Sequence, residues 1–418
     1  MRSVEDQLAM VVDAAPAPEP IRVRISDALG LMCAEEVTAT RSLPGFAQAA
    51  VDGYAVRAVD VGGGVALGAR PDAEPATSLP VVGEVAAGSQ KPLRLQPRQA
   101  VRVATGAPLP TLADAVLPLE WTDRGRRRVT AQRPVYSGDF VRRAGDDIQP
   151  GDLAVRAGAV LGPAHIGLLA ATGRDQVLVS PRPRVAVMSY GLELVDIGRD
   201  PGLGHVFDVT SYALAAAARD AGADVQRVGI INAEPRRLKE TIANHVARSE
   251  MIIIAGAVGG SGAQAVQEAL AELGEIDTSR VAMHPGSVQG FGLLGEERIP
   301  AFLLPSNPAA ALVIFETIVR PAIRRSLGKQ EPKRRAVQAR SLGPVDSIPG
   351  RRGFVRARLM RDADTGDYLV QGLGGAEGVP SHLLAGFADA NAIIELPEEV
   401  TTVRPGDIVD VVFLQQRS

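Results

Sequence analysis

Cysteine and lysine are nearly missing from this sequence. With Cys33 as its only cysteine, the chain cannot form an internal disulfide. Lysine occurs only at Lys91, Lys239, Lys329 and Lys333, so almost all positive charge is guanidinium. That chemistry suits planar anions and leaves little scope for Schiff-base catalysis. No apolar run reaches the roughly 18 residues of a membrane span, and Met1-Arg2-Ser3-Val4-Glu5-Asp6 lacks the apolar stretch of a signal peptide. A formal net charge of -3 gives no general electrostatic reason to expect nucleic-acid binding. The expectation is a cytoplasmic protein without direct membrane insertion.

What is present has the balance of a globular protein, with 46% hydrophobic and 22% charged residues. At 418 residues the chain predicts two to four domains, at about 100 to 200 residues each. Strand-like runs at 184–188, 225–231, 251–254 and 301–304 alternate with helical patterns at 209–221, 235–247, 263–273 and 309–325. This repetition predicts a parallel sheet with helices on both faces, whose ligands bind outside the carboxyl ends of the strands. The loops after Met188, Ile254 and Leu304 are then the candidate site. Residues 47–147 are rich in valine, glycine and proline with turn signals, the pattern of short strands in a barrel or sandwich. Residues 328–333 read as a linker, and strands are expected again at 353–359, 368–371, 392–396 and 408–414. Segments 4–14 and 21–28 are expected to pack beside 155–173.

Residues 255–263 (AGAVGGSGA) form a glycine-rich junction between strand and helix, the arrangement in which backbone N–H groups cradle phosphate. Gly256, Gly259, Gly260 and Ser261 are the candidate cradle residues. The loop carries no charge, although phosphate chemistry usually calls on a nearby lysine, arginine or metal-binding carboxylate. Elsewhere, basic clusters such as Arg324-Arg325 and Lys333-Arg334-Arg335 are either solvated loop faces or contacts for an acidic peptide or phosphate.

Several separate segments resemble the MoeA and gephyrin E-domain family, in order and along essentially the whole chain. They are 46–57 (FAQAAVDGYAVR), 103–120 (VATGAPLPTLADAVLPLE), 142–157 (RRAGDDIQPGDLAVRA), 164–173, 183–194 (PRVAVMSYGLEL) and 304–310 (LPSNPAA). The resemblance implies an α/β plus β fold: an elongated, homodimeric chain of four subdomains, with a doubly wound α/β subdomain and two β-barrel-like ones. Its boundaries would be 1–46 with 148–181, then 47–147, 182–328 and 329–418. It further implies binding of adenylated molybdopterin, with molybdate displacing the nucleotide to give molybdenum cofactor and AMP, and with Mg2+ involved.

On the matching positions, Asp52, Thr105 and Glu193 are the implied catalytic group, with Glu193 also the metal candidate. Asp147, Pro305, Asn307, Arg356 and Ser381 join the glycine loop as implied cofactor-binding residues. Turn capping is the alternative role for Asp52 and Asp147. Against the family pattern, Leu192 stands in place of a carboxylate, and the glycine-rich stretch has lost a serine and ends at Gln264 instead of an aspartate. His284 and Ser287 stand in place of two lysines, Ala233 has replaced an acidic residue, and Ser306 a glycine. These departures predict an eroded metal and molybdate site on a gephyrin-like dimeric scaffold that holds a partner peptide, such as the FtsZ C-terminal tail in cell division or a membrane-receptor tail. Recruitment to the division site would follow. Its groove would comprise Phe302, Arg324, Arg325, Phe354, Leu383, Leu384 and Phe387, with interior packing the alternative role for the apolar residues. The alternative is an active molybdopterin molybdenumtransferase with altered ligands.

Overall fold

The computed structural model describes residues 1–62, 77–90, 93–232, 234–260, 262–373 and 384–414. The chain divides into two compact units, Arg22–Val179 and a second formed by Met1–Ile21 with Ser180–Ser418. Among the described residues, no helix is long and apolar enough to cross a membrane.

In the first unit, a five-stranded sheet runs in the order Ala115–Pro118, Gly53–Val56, Ala100–Val103, Ser78–Val85 and Arg128–Thr130. Alternate residues of the central strand enter different cores, as the period-2 pleat requires: Tyr54 and Val56 pack with Leu79 and Leu117, whereas Ala55 packs with Val101, Val103 and Val116. A separate small core gathers Cys33, Val37, Val155, Leu169, Val177 and Val179 around the helix Pro163–Ala171. Cys33 is thus a buried packing residue whose thiol is pushed up in pKa, chiefly by burial.

The second unit holds the alternating pattern. Its six-stranded sheet runs Asp224–Ile230, Arg184–Ser189, Met251–Val258, Ile299–Pro305, Gly290–Leu294 and Gly274–Asp277. The first four are parallel, and the last two form an antiparallel extension that the sequence pattern did not mark. Both are short and glycine-containing, which weakens a strand signal. All eight residues of Met251–Val258 are buried. Met251, Ile253 and Ala255 face one core and Ile252, Ile254 and Ala257 the other, each buried isoleucine contributing about 1.5–3 kcal/mol.

Three expectations need correction. The helix Val4–Asp13 does not pack beside 155–173; Val4 and Val11 join the core with Ile314, Phe315, Ile323 and Phe354. The helix expected at 309–325 is interrupted by a π-helical turn, Phe315–Val319, between Pro308–Ile314 and Arg320–Ser326. Pro321 lacks the N–H that a regular helix would direct to the Thr317 carbonyl, and the wider turn accommodates that gap. The strand at 251 continues to Val258, so half of the presumed loop is sheet.

Beyond Gly328, a closed barrel joins Arg352–Arg361, Tyr368–Gly372, Ala336–Ser341, Ile408–Phe413 and Ala392–Leu396, the last returning to the first. A short strand, Met283–His284, pairs in parallel with Arg352 and Gly353 and ties the barrel to the α/β layer.

Gly256 sits at a register shift in its strand with φ +80°, and a Cβ there would stand 2.0 Å from the Tyr190 carbonyl oxygen. Gly260 faces open space. Gly256→Ala should therefore destabilise the protein by on the order of 1–3 kcal/mol from backbone strain alone, with the clash added, whereas Gly260→Ala should lie within about 1 kcal/mol of the parent. Denaturant unfolding of both variants checks the contrast.

Candidate active site

Asp52 precedes the central strand Gly53–Val56 of the first unit, and Thr105 lies in the turn after Ala100–Val103. The antiparallel pairing of these strands, with Gly53 opposite Val103, brings the two residues together. One Asp52 oxygen, Oδ1, accepts both the Thr105 amide at 2.7 Å and the Thr105 hydroxyl at 2.8 Å. These bonds, the backbone one foremost, hold the exposed Asp52 carboxyl below the usual carboxylate range. Asp147 is exposed, and the turn there is capped by its neighbour: Asp146 Oδ2 accepts the Arg143 amide at 2.6 Å. The capping role considered for Asp147 thus belongs to Asp146.

In the α/β unit, Glu193 is exposed on the turn that follows Arg184–Ser189, at the carboxyl end of the strands. Leu192 beside it is 74% exposed. Gly256 is a strand residue whose missing side chain makes room for the Tyr190 backbone. At Gly262 a Cβ would stand 2.4 Å from Tyr190 Cε1, so the tyrosine ring packs on the glycine that precedes the helix Ala263–Ala271. The glycines at 256 and 262 are therefore explained by Tyr190, and Gly259 and Gly260 form the exposed part of the junction. Ser261 lies outside the described residues. Gln264, in the position of the family's aspartate, donates to Glu268 on its own helix at 2.8 Å.

Pro305 ends the strand Ile299–Pro305. Asn307 caps the next helix, its Oδ1 accepting the Ala310 amide at 2.9 Å, so that oxygen has a structural role. Arg356 is 5% exposed on the barrel strand Arg352–Arg361, and burial lowers its pKa. His284 is half-buried, and burial, followed by the charge of Arg351, lowers its pKa. The imidazole is neutral at pH 7 and supplies no cation in place of lysine. Ser381 and Leu383 lie outside the described residues.

No group of three His, Cys, Asp or Glu side chains able to hold a metal occurs among the described residues. Glu193 offers one carboxylate, and a Mg2+ ion held there would take its remaining oxygen ligands from water and substrate phosphates.

The expected peptide groove also changes. Phe302 is 1% exposed and packs against Phe291, inside the sheet. Arg324 donates to the Ala221 carbonyl at 3.3 Å, at the end of the helix Thr210–Ala221; Arg325 is exposed, and Phe387 packs onto the core. Leu384 is half-buried just before the short helix Ala385–Ala388. Phe354 lines a pocket of about 130 Å³ whose apolar wall also includes Val4, Leu8, Pro321 and Ile393. Glu5, Glu316, Lys333, Arg334 and Arg352 bring charge to it.

Three family models match: MoeA N-terminal region (domain I and II) at residues 2–173, probable molybdopterin binding domain at 186–325, and MoeA C-terminal region (domain IV) at 338–414. The chain belongs to the MoeA family. It is 59% identical to molybdopterin molybdenumtransferase 1 of Mycobacterium tuberculosis, with all of both chains covered. It is 35% identical to molybdopterin molybdenumtransferase 2 of that organism, over 98% of this chain and 99% of the other. A crystal structure of a MoeA molybdopterin biosynthesis protein from Pyrococcus horikosii matches with a TM-score of 0.79 and 30% identity, over 99% of each chain. The multi-subdomain MoeA fold expected from the resemblance is thereby established.

Sequence reasoning missed the polar cluster of Ser189, Asp196, Asp208, Ser211, Tyr212 and Arg227 at the same edge of the MoeA sheet as Glu193. Part of it was available in the sequence, since Asp208 three residues before Ser211 is a helix-start signal. Arg227 carried no such mark.

Thr105→Val should raise the Asp52 pKa toward the ordinary carboxylate value, as read by NMR titration. Because the folded carboxyl is depressed, the pair's stabilisation is present at neutral pH and is lost as pH falls through the folded pKa. The variant should show a smaller acid-dependent loss from Asp52, because the residue-105 amide still donates to the carboxylate.

Proposed function

We propose that this MoeA-family chain is a molybdopterin molybdenumtransferase with altered ligands, working in the cytoplasm on adenylated molybdopterin and molybdate. The observation that carries this reading is the Asp52–Thr105 pair, in which a threonine amide and hydroxyl hold one carboxylate oxygen. Full-length similarity to molybdopterin molybdenumtransferase 1 supports it. An ionised carboxylate repels molybdate and phosphate, so Asp52 serves as an acceptor for neutral hydrogen-bond donors of the substrate. On the α/β unit, the exposed glycines at 259 and 260 offer close backbone approach of the kind that suits a phosphate. With His284 neutral and Ser287 in place of a lysine, fewer groups offset negative charge in the transition state, and one such donor is worth about 100-fold or more in rate. The residues do not build a Mg2+ cage, and no step is assigned to that ion.

A second reading is favoured by the pocket at the helix Val4–Asp13: a gephyrin-like homodimeric scaffold that docks a partner peptide, such as the FtsZ tail, in cell division. Val4, Leu8, Pro321 and Phe354 supply an apolar seat, and the surrounding charges supply orientation. This reading accounts for the lost lysines and carboxylates without requiring turnover.

Purified protein, adenylated molybdopterin and molybdate should give molybdate-dependent AMP release. Asp52→Asn should slow it about 100-fold. AMP release no faster than without protein would sink the transferase reading. For the scaffold reading, an FtsZ-tail peptide should bind the parent, and Leu8→Asp should weaken binding about tenfold or more; equal affinity of the two proteins would remove this pocket from consideration.

A further inference from the structure

The connection that leaves the strand Arg184–Ser189 returns to the sheet at the helix Thr210–Ala221, and both of its ends meet one guanidinium. Arg227 Nη1 donates to Ser211 Oγ at 3.0 Å and stands 3.6 Å from Asp208. Its Nη2 donates to Asp196 Oδ2 at 3.1 Å and to the Tyr212 hydroxyl at 3.0 Å. The guanidinium carbon lies 3.8 Å from the centre of the Tyr212 ring, and that hydroxyl donates to Asp196 Oδ1 at 2.9 Å. Asp208, with a fully buried side chain, accepts from Ser189 Oγ at 2.7 Å, from the Ser211 amide at 3.1 Å and from Ser211 Oγ.

The excursion 197–207 hangs between these two aspartates. Within the closed loop, the Val206 amide donates to the Glu193 carbonyl at 2.9 Å and the Asp208 amide to the Val195 carbonyl at 2.9 Å. On the other side of the turn, the Asn232 side chain brackets Gly191, accepting its amide at 3.0 Å and donating to its carbonyl. The Glu193 carboxylate is exposed, and its place is set by this backbone frame.

We propose that Arg227 is a positioning residue: by tying Asp196 to Asp208 it closes the 197–207 excursion and so fixes where Glu193 stands. An arginine fits the role because its planar fork reaches two acceptor groups at once, which an ammonium does not reproduce. The link to catalysis rests on Glu193 being part of the transferase site.

The test uses the full-length protein with Arg227→Gln and Asp196→Asn. In hydrogen exchange, the Val206 and Asp208 amides should exchange about tenfold faster in both variants, while amides of Met251–Val258 keep their protection. Parent-like protection at Val206 and Asp208 in both variants overturns the proposal. If Arg227→Gln loosens the whole sheet, Asp196→Asn decides, since it removes the more exposed partner and leaves the Asp208 bonds intact. In turnover, both variants should lower kcat as Glu193→Gln does, with KM for adenylated molybdopterin within about twofold of the parent; Arg227→Lys should not restore kcat. Faster Val206 exchange with unchanged kcat overturns the link to Glu193. A parent protein without turnover would instead remove the transferase reading, and exchange alone would still decide whether Arg227 ties the loop.

Discussion

Burial of Met251–Val258 on both faces is the constraint from which the second unit is built. Every position of this strand is inside, and its neighbours Arg184–Ser189 and Ile299–Pro305 are almost as enclosed. A strand sandwiched in this way admits no polar chemistry along its length, because each unpaired buried polar group would cost free energy. Function is confined to the ends, where the chain leaves the sheet. Tyr190, Glu193, Gly259 and Asn307 all follow the carboxyl ends of these parallel strands for that reason. The same crowding explains Gly256: the Tyr190 carbonyl occupies the space a side chain would need.

Guanidinium groups serve as internal joints in a chain with almost no lysine. Arg334 bonds Glu316 at 2.6 Å and Asp220 at 3.1 Å, while Arg320 shares both carboxylates. Arg352, on the first barrel strand, meets Glu5 of the N-terminal helix together with Glu395 and Glu398. Arg334 therefore cannot be read as a solvated loop charge, even though its neighbour Arg335 is exposed. These pairs surround the pocket at Val4–Asp13, so the charges there are already partly matched within the chain. A partner entering it would gain more from apolar contact than from unpaired charge.

The chemistry retained and the chemistry altered lie in different places. Asp52 and Thr105 keep a bonded geometry beside two paired strands. The replaced lysine position at His284 is a half-buried neutral imidazole, and the carboxylate position at Leu192 is an exposed leucine. Family membership is decided by the whole chain, whereas the proposed transferase activity rests on these few atoms.

The sequence by itself determined the alternating strands and helices of 184–327, most barrel strands, and the identity of Asp52, Thr105 and Glu193 as residues to watch. The strands and helices are readable because periodicity is a local property of the chain, whereas Asp52, Thr105 and Glu193 were marked by the resemblance of their segments to the MoeA family. It did not disclose the packing of Val4–Asp13 on the α/β unit, the π-helical turn before Pro321, the burial of Phe302 and Arg356, or the clasp at Arg227. Each of those depends on which distant segments come into contact: an arginine in a strand becomes a joint only when Asp196 and Asp208 are folded against it. Tertiary structure alone decided them, because side-chain pairing across long sequence separations leaves no local pattern.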